Sequence, residues 1–277
     1  LQVRRKGINW SLDLDEAIDF NIYLTGRYEA ELFDKMAQEI KKDDVILDIG
    51  ANIGAHTLPL AEMVGDEGKV YAIEPTDYAF KKLTQNIYLN EKIKKKVITV
   101  RSFLSDGVTE APKKVSSSWS ISGTMNSSDR NQLDLGIAQS ITDATTMTLD
   151  ELVSSQEITK LDVIKIDVDG YEVDVLKGAR ETIEKFSPLI FVEFSPIHYE
   201  AMNSSFEEQV KLLVDYGYQF EDVFGNAIPS DIKSLLDYIP RGTLVNIVAK
   251  KSDQSKSRKK ANTQKLSELK DCLLYTS

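Results

Sequence analysis

Short apolar runs alternate along this chain with longer segments whose apolar residues recur every three or four positions. A short, wholly apolar run is typical of a strand buried on both faces of a parallel sheet. Such runs predict strands at 45–47, 69–73, 97–103, 161–166, 189–194, 218–224 and 244–249. The longer segments predict amphipathic helices at 28–41, 55–64, 76–89, in the segment that ends at 185, and at 207–216.

Strands that alternate with helices predict right-handed crossovers and a doubly wound α/β sheet. Ligands of such sheets bind beyond the carboxyl ends of the strands, where the strand order reverses, so functional side chains are expected just after strands. Residues 106–149 interrupt the alternation and are rich in Ser and Thr. They predict a long excursion with a hairpin near Trp119 and Ile121, of the kind that forms lids or substrate loops.

Composition removes several classes of protein. The net charge of −10 argues against nonspecific nucleic-acid binding. The single cysteine, Cys272, excludes an internal disulfide framework and a thiolate zinc cluster. No run reaches about 18 apolar residues, which predicts that no segment spans a membrane. No apolar run follows the basic residues at 1–6, so we expect no secretory signal and a cytoplasmic location.

The end of the chain differs in charge from the rest. From Lys250 onward there are eight basic side chains against three acidic ones, and residues 251–260 include no apolar side chain. Such a segment cannot offset its ordering entropy by burial. The sequence therefore predicts one domain over 1–250 and a basic tail over 251–277, which acts as a solvated linker or touches an anionic surface.

A glycine-rich turn follows the first predicted strand and reads Asp48-Ile-Gly50-Ala-Asn52-Ile-Gly54. The dinucleotide fingerprint needs glycine where this chain has Asn52 and Ala55, and no Lys-Ser/Thr pair follows, so a phosphate loop fails as well. The two glycines let the backbone approach a ligand closely. The pattern resembles motif I of S-adenosylmethionine-dependent methyltransferases, whose ligand carries an ammonium and a sulfonium that suit an acid at Asp48.

Polar residues also follow the next two strands. Glu74 lies 24 residues after Gly50, near the spacing of about 20 residues expected for an acid that binds ribose hydroxyls. Pro75, which follows it, is assigned to the same cofactor site. Ser105 and Asp106 are expected at the adenine amino group, although Asp-Gly also forms an ordinary turn.

Further segments carry a family resemblance. From Leu161 the chain reads Asp-Val-Ile-Lys-Ile-Asp-Val-Asp-Gly-Tyr-Glu, and Pro-Leu-Ile-Phe-Val-Glu follows at 188–193. With Gly-Arg-Tyr-Glu at 26–29, Phe-Leu-Ser-Asp-Gly at 103–107 and Thr-Leu-Asp-Glu-Leu at 148–152, these segments resemble the FkbM family of methyltransferases over residues 5–250. The resemblance implies a Rossmann-like class I methyltransferase fold whose seven-stranded, mostly parallel sheet has an antiparallel last strand. It also implies S-adenosylmethionine as methyl donor and usually a hydroxyl acceptor.

Four side chains after the fourth and fifth strands are candidates for the chemistry. Asp167 is expected to orient the substrate or to bind a metal, with Asp169 beside it at the mouth of the cleft. Hard cations bind about six oxygen ligands. No third acid or histidine follows this pair at a spacing typical of metal ligands, so a divalent metal is possible but not favoured. His198 is favoured as the general base because its unperturbed pKa is near neutrality. Glu193 or Asp169 is the alternative base.

Two positions keep two interpretations each. Glu29, with Tyr28, either closes over the cofactor or caps the helix at 28–41, while His56 is expected to pack near the cofactor rather than to do chemistry. The expected function is O-methylation of a hydroxyl on a small molecule, sugar or glycolipid. A silent methyltransferase-like interaction module would have lost the cofactor residues, and a nicotinamide-dependent dehydrogenase is disfavoured by Asn52 and Ala55.

Overall fold

The computed structural model describes residues 1–118, 120–121, 137–196, 199, 205–240 and 242–251. Up to residue 155 the elements are β1 (Gln2–Arg5), β2 (Ile8–Ser11), α1 (Ala17–Thr25), α2 (Ala30–Glu39), β3 (Val45–Ile49), α3 (Thr57–Met63), β4 (Lys69–Ile73), α4 (Asp77–Tyr88), α5 (Glu91–Lys94), β5 (Val97–Val100), β6 (Ser102–Leu104), β7 (Lys114–Ser118), β8 (Ile137–Ser140), β9 (Thr145–Met147) and α6 (Leu149–Ser155). After it come β10 (Val163–Ile166), α7 (Glu172–Lys177), α8 (Arg180–Phe186), β11 (Leu189–Phe194), α9 (Phe206–Asp215), β12 (Tyr218–Asp222), β13 (Ala227–Ile228), α10 (Ile232–Tyr238) and β14 (Val245–Lys251).

The central sheet has the strand order β13-β12-β14-β11-β10-β3-β4-β5. Strands β5, β4, β3, β10 and β11 are parallel, and β14 runs antiparallel to both of its neighbours, β11 and β12. The predicted seven-stranded sheet with a reversed last strand is confirmed, and the two-residue β13 extends its edge. The chain moves outward from β3 to β5 and then returns to place β10 on the other side of β3. The carboxyl ends of β3 and β10 therefore border the crevice in which a ligand of this fold binds.

Two hydrophobic layers cover the two faces of the sheet. One contains α1 to α4 and the N-terminal hairpin β1–β2, with Trp10, Met36 and Leu58 among its buried side chains. The other contains α6 to α10, with Leu152 and Leu213 among its buried side chains. Every residue of β10 and β11 is buried, as expected for strands covered on both faces.

Three features differ from the sequence-based expectations. The strand predicted at 97–103 is two strands, because Val100 pairs with Ile73 at the end of β4 and the chain beyond it pairs with β9 instead. The helix predicted to reach 185 is divided into α7 and α8. The hairpin β1–β2 and the helices α1, α5, α6 and α10 were not predicted.

The excursion after the third strand contains the antiparallel pair β7–β8. The hairpin was predicted near Trp119 and Ile121; β7 ends at Ser118, and Trp119 and residues 122–136 lie outside the described residues. In the described part of the chain, no helix has the length and apolar character needed to cross a membrane.

Candidate active site

A cavity of about 500 Å³ lies at the carboxyl edge of the sheet, where β3, β4, β10 and β11 end. Its polar lining comes from the loops after these strands and from the start of α2, and its apolar lining comes from α1, β6 and the excursion. The residues that decide its chemistry are Glu29, Gly50, Asn52, His56, Glu74, Lys165, Asp167, Asp169 and Glu193. The position agrees with the ligand site of a doubly wound sheet.

The glycine-rich turn brings its backbone against the neighbouring strand. Gly50 has a φ of +79°, and a Cβ at this position would overlap the carbonyl oxygen of Asp167. Only glycine satisfies both the backbone angle and this close approach. Asn52 also has a positive φ, of +48°, and its side chain Nδ2 donates to the carbonyl of Ser117 at 3.2 Å. The turn is therefore held from one side by β10 and from the other by β7.

Glu74 is a buried carboxylate at the end of β4, with 4% of its surface exposed. Its Oε2 accepts the backbone N–H of Asn52 at 3.0 Å, and its Oε1 accepts the backbone N–H and the hydroxyl of Thr76 at 2.9 and 2.6 Å. Burial raises the pKa of Glu74 although these hydrogen bonds oppose the rise. Oε1 already accepts two hydrogen bonds, whereas Oε2 keeps a lone pair that a ligand hydroxyl can use.

Lys165 is the buried cation of the site, and the sequence analysis did not select it. It pairs with Asp48 in the register of β10 and β3, and its Nζ lies 2.9 Å from Asp167 Oδ2 and 3.5 Å from Asp48 Oδ1. The same Nζ donates to the carbonyl of Gly50 at 3.3 Å. Burial opposes its charge, but the surrounding carboxylates outweigh burial and raise the pKa of Lys165. Lys165 is therefore a fixed positive charge that ties both strand ends together.

Carboxyl groups outnumber this cation around the cavity. Burial and the charge of Asp167 raise the pKa of Glu29 to about 7, since Lys165 offsets them only in part. Burial, Asp167 and further carboxylates raise the pKa of Glu193 well above its ordinary value. The site therefore favours a cation, or a group that gives up a proton.

The loop after β10 has its own buried support. Glu172, at the start of α7, accepts the backbone N–H of Val168 at 3.2 Å and that of Gly170 at 3.1 Å, and its Oε2 accepts the hydroxyl of Tyr199 at 2.7 Å. Asp169 has a φ of +51° between these two donors. Glu172 therefore fixes the loop that carries the two candidate acids.

Aromatic and aliphatic side chains also line the cavity. Phe103 and Tyr171 meet edge to face, with their ring centroids 5.1 Å apart. Ile18, Val115, Ile121 and Leu244 also line the cavity. The lining thus combines acidic groups with apolar side chains.

The profile of the family described as "Methyltransferase FkbM domain" matches residues 48–220, well over half of the chain. The chain belongs to the FkbM methyltransferase family. The matched range includes the glycine turn, Glu74, Lys165 and the candidate acids after β10 and β11. The strand order of the sheet is that of the Rossmann-like class I methyltransferase fold, and fold and family together imply S-adenosylmethionine as the methyl donor.

Two curated relatives match parts of the chain. The hexuronic acid methyltransferase AglP of Haloferax volcanii is 31% identical over 167 residues, which cover 59% of this chain and 62% of AglP. The tRNA(Phe) (4-demethylwyosine(37)-C(7)) aminocarboxypropyltransferase of Pyrococcus horikoshii is 44% identical over 57 residues, 21% of this chain and 20% of that protein. The chain thus spans less than two thirds of the length of either relative.

Solved structures give more distant similarities. Methyltransferase FkbM from Methylobacillus flagellatus has 14% identity and a TM-score of 0.46, covering 76% of this chain and 44% of that one. The fibrillarin of Aeropyrum pernix with natively bound S-adenosyl-L-methionine has 15% identity and a TM-score of 0.46, covering 90% and 81%. Both are remote, and the assignment to the family rests on the match over residues 48–220.

The cavity of this FkbM family member fits S-adenosylmethionine. The Gly50 backbone approaches the cavity with no side chain in the way, and Glu74 offers the remaining lone pair of its Oε2 to a hydroxyl donor. The carboxyl groups around Lys165 give the cavity an acidic character, which suits the sulfonium and ammonium groups of this ligand.

The structure separates the sequence-predicted residues into two sets. Glu29, Gly50, Asn52, Glu74, Pro75, Asp167, Asp169 and Glu193 line the cavity together. Asp48, Gly54, Ser105 and Asp106 are not among the described residues that line it. His198, the favoured base, lies outside the described residues.

The second set has local roles that explain its placement. Asp48 is fully buried behind the glycine turn, where its Oδ2 accepts the hydroxyl of Thr57 at 2.5 Å. Asp106 accepts the backbone N–H groups of Val108 and Thr109 at 2.9 and 2.7 Å, which is a turn. These residues remain predictions as cofactor contacts. The described residues hold no group of three or more His, Cys, Asp or Glu arranged for a metal ion.

Proposed function

We propose that this protein is an S-adenosylmethionine-dependent O-methyltransferase that acts on a hydroxyl of a sugar or of a sugar-containing molecule. One observation carries the proposal. A single cavity joins the glycine turn and Glu74 to a cluster of buried carboxyl groups around Lys165. Such a cavity has a place for the methyl donor and, beside it, groups able to take a proton from an acceptor.

The donor would lie along the carboxyl ends of β3 and β4. The Gly50 turn would contact it through the backbone, and Glu74 with Pro75 would hold its ribose, as acids at this position do in dinucleotide folds. When bound, S-adenosylmethionine supplies an electrophilic methyl group. The protein's own contribution is mainly to orient the acceptor oxygen. Holding two reactants in a productive geometry can lower the activation barrier by up to about 7–11 kcal/mol, because the entropy of bringing them together has already been lost on binding.

The acceptor would lie beside the loop after β10. Phe103 and Tyr171 offer ring surfaces to the face of a sugar that presents its C–H groups. Asp167 and Asp169 offer oxygens to its hydroxyls. Support for a carbohydrate comes from the relative AglP, a hexuronic acid methyltransferase. Asp167 is the proposed orienting residue, and Asp169, Glu193 and His198 remain candidates for proton transfer.

The experiment is a methyl-transfer screen with isotope-labelled S-adenosylmethionine against neutral sugars, uronic acids, glycolipids and small alcohols. The proposal expects label in an ether of a sugar hydroxyl, identified by base-stable linkage. Label released by mild base would identify an ester and overturn the assignment to a hydroxyl. Label on nitrogen, or transfer only to molecules without a sugar, would overturn the substrate class.

A matched variant separates positioning from binding. Asp167→Asn removes the proposed orienting charge and leaves the glycine turn and Glu74 in place. We expect transfer to fall by at least tenfold while the affinity for the donor changes less. An unchanged transfer rate would show that Asp167 does not orient the acceptor.

A further inference from the structure

Glu29 is the first residue before helix α2, but its side chain does not cap that helix. Its backbone has φ +44° and ψ +64°, a left-handed conformation that is uncommon for residues other than Gly, Asn and Asp. No backbone N–H of α2 donates to its carboxylate. The carboxylate lines the cavity instead. A residue held in a strained conformation with its side chain in a cleft indicates a functional constraint rather than a helix signal.

The two oxygens of Glu29 have different surroundings. Oε1 accepts a hydrogen bond from Nδ2 of Asn246, on the reversed strand β14, at 2.9 Å. Oε2 is buried, receives no hydrogen bond from any described residue, and lies 3.2 Å from Nε2 of His56. One oxygen is therefore fixed in place, and the other has no hydrogen-bond partner among the described residues, although the residue lines the cavity.

Charged and titratable groups face Glu29 from each neighbouring element. Asp167 and Lys165 come from β10, Glu193 from β11, His56 from the start of α3, and Tyr28 precedes Glu29 itself. Burial and Lys165 lower the pKa of His56 to about 4, so this imidazole is neutral near pH 7 and offers Glu29 no counter-charge. Burial and Asp167 bring the pKa of Glu29 to about 7.

The other carboxyl groups of the cluster are less suited to take a proton. Asp167 is paired with Lys165 at 2.9 Å, so its charge is already used. Glu193 is 7% exposed, and burial and neighbouring carboxylates raise its pKa well above the ordinary value, which favours retention of a proton. Glu29 combines an oxygen without a hydrogen bond among the described residues, a fixed orientation and a position in the lining of the cavity.

We propose that Oε2 of Glu29 takes the proton of the acceptor hydroxyl, and that Asn246 is the residue that positions this carboxylate. The inference rests on the proposed function. The acceptor O–H bond breaks with its electron pair on oxygen, and that oxygen forms the new bond to the methyl carbon. The carbon–sulfur bond of the donor breaks with its electron pair on sulfur, and the proton stays on Glu29. Proton acceptance by a placed side chain contributes about 10²–10⁴-fold to such a step.

The test uses Glu29→Gln, with Glu31→Gln as a matched control because Glu31 is an exposed acid near the start of the same helix. We expect Glu29→Gln to bind S-adenosylmethionine within about threefold of the wild type by calorimetry and to lower kcat by about 10²–10⁴-fold. The control should match the wild type in both. Loss of donor binding in folded Glu29→Gln would identify Glu29 as a donor contact and overturn the proposal, as would an unchanged kcat.

A second readout needs no turnover. Difference infrared spectra of the protein alone, titrated between about pH 5 and 9, should show one carboxyl group ionising near pH 7 that is missing in Glu29→Gln. Asn246→Ala removes a hydrogen bond that favours the ionised form, so this midpoint and the acidic limb of the kcat profile should both move to higher pH. A wild-type spectrum without this carboxyl overturns the proposal even if methyl transfer occurs. A chain that never binds S-adenosylmethionine overturns the proposed function separately.

Discussion

Glu39 belongs to a buried ring of four charges that ties helix α2 to strands β12 and β14. Its Oε1 lies 3.0 Å from Lys35 Nζ and 2.7 Å from Lys250 Nζ, and both ammonium groups also contact Glu221 Oε2, at 3.3 and 2.6 Å. Burial alone would raise the pKa of Glu39, but the hydrogen bonds and charges of the two lysines outweigh burial and lower it to about 2. The ring also fixes helix α2, which Glu29 immediately precedes.

Replacing Glu39 by Gln keeps the shape but leaves two buried ammonium groups with one carboxylate between them. A shift from 4.5 to about 2 corresponds to about 3 kcal/mol of unfolding free energy. Removing one partner of a buried ion pair costs about 3–5 kcal/mol, in agreement. We therefore expect Glu39→Gln to lower the free energy of unfolding by about 3 kcal/mol at pH 7.

The pH dependence gives the sharper test. Because the pKa of Glu39 is lowered by folding, its contribution is fully present above about pH 4.5 and is lost as the pH falls through about 2. Urea unfolding followed by circular dichroism at about pH 7, 5 and 3.5 should show a wild-type advantage that shrinks at the lowest pH. Glu184→Gln, in an exposed pair with Arg180, is the control and should leave the unfolding free energy unchanged. An equal loss at all three pH values, or a loss no larger than in the control, would refute the reasoning.

Three further outcomes are expected. Gly50→Ala puts a Cβ against the Asp167 carbonyl at a positive φ, so urea unfolding should show a loss of at least about 1–3 kcal/mol; stability equal to wild type would contradict the strained turn. Tyr199→Phe removes the hydroxyl that Glu172 accepts, which should cost about 1–3 kcal/mol and speed amide exchange in the loop after β10; unchanged exchange would show that this bond does not hold the loop. Removal of residues 252–277 should leave the melting temperature within about 2 °C, because surface changes usually stay within about 0.5 kcal/mol; a larger drop would show that the tail packs on the domain.

Elements with strong local signals were predictable from the sequence. Strand β4 has the predicted bounds, because a short apolar run between polar residues is typical of a strand that is buried in the sheet. The hydroxyl of Thr76 accepts the backbone N–H of Ala79, as its position before an amphipathic segment predicts. Both signals lie within a few residues of the element that they define.

Elements that depend on distant partners were not predictable in this way. The hairpin β1–β2 docks beside the end of helix α4, where Asn9 and Asn90 exchange backbone and side-chain hydrogen bonds of 2.9 and 2.7 Å across 81 positions of sequence. Strand β6 separates from β5 only because β4 has ended and β9 is within reach. Neither partner is visible from the local pattern.

The site shows the same division. The glycine turn and Glu74 could be selected from their spacing along the chain. Lys165 could not be selected in this way, because in the sequence it is only a single polar residue within an apolar strand. Its position two residues before Asp167 does place both side chains on one side of the strand, and this signal could have identified it. The environment of Glu29 could not be found from sequence, because its partner Asn246 is 217 positions away on β14.

Binding of the methyl donor tests the central claim most directly. Isothermal titration calorimetry with S-adenosylmethionine and its demethylated product should give one site per chain for both ligands. In folded Glu74→Ala, which removes the carboxylate at the end of β4, the affinity for both should fall by more than tenfold. A wild-type protein that binds neither ligand, or a Glu74→Ala variant that binds both as tightly as the wild type, would contradict the placement of the donor in this cavity.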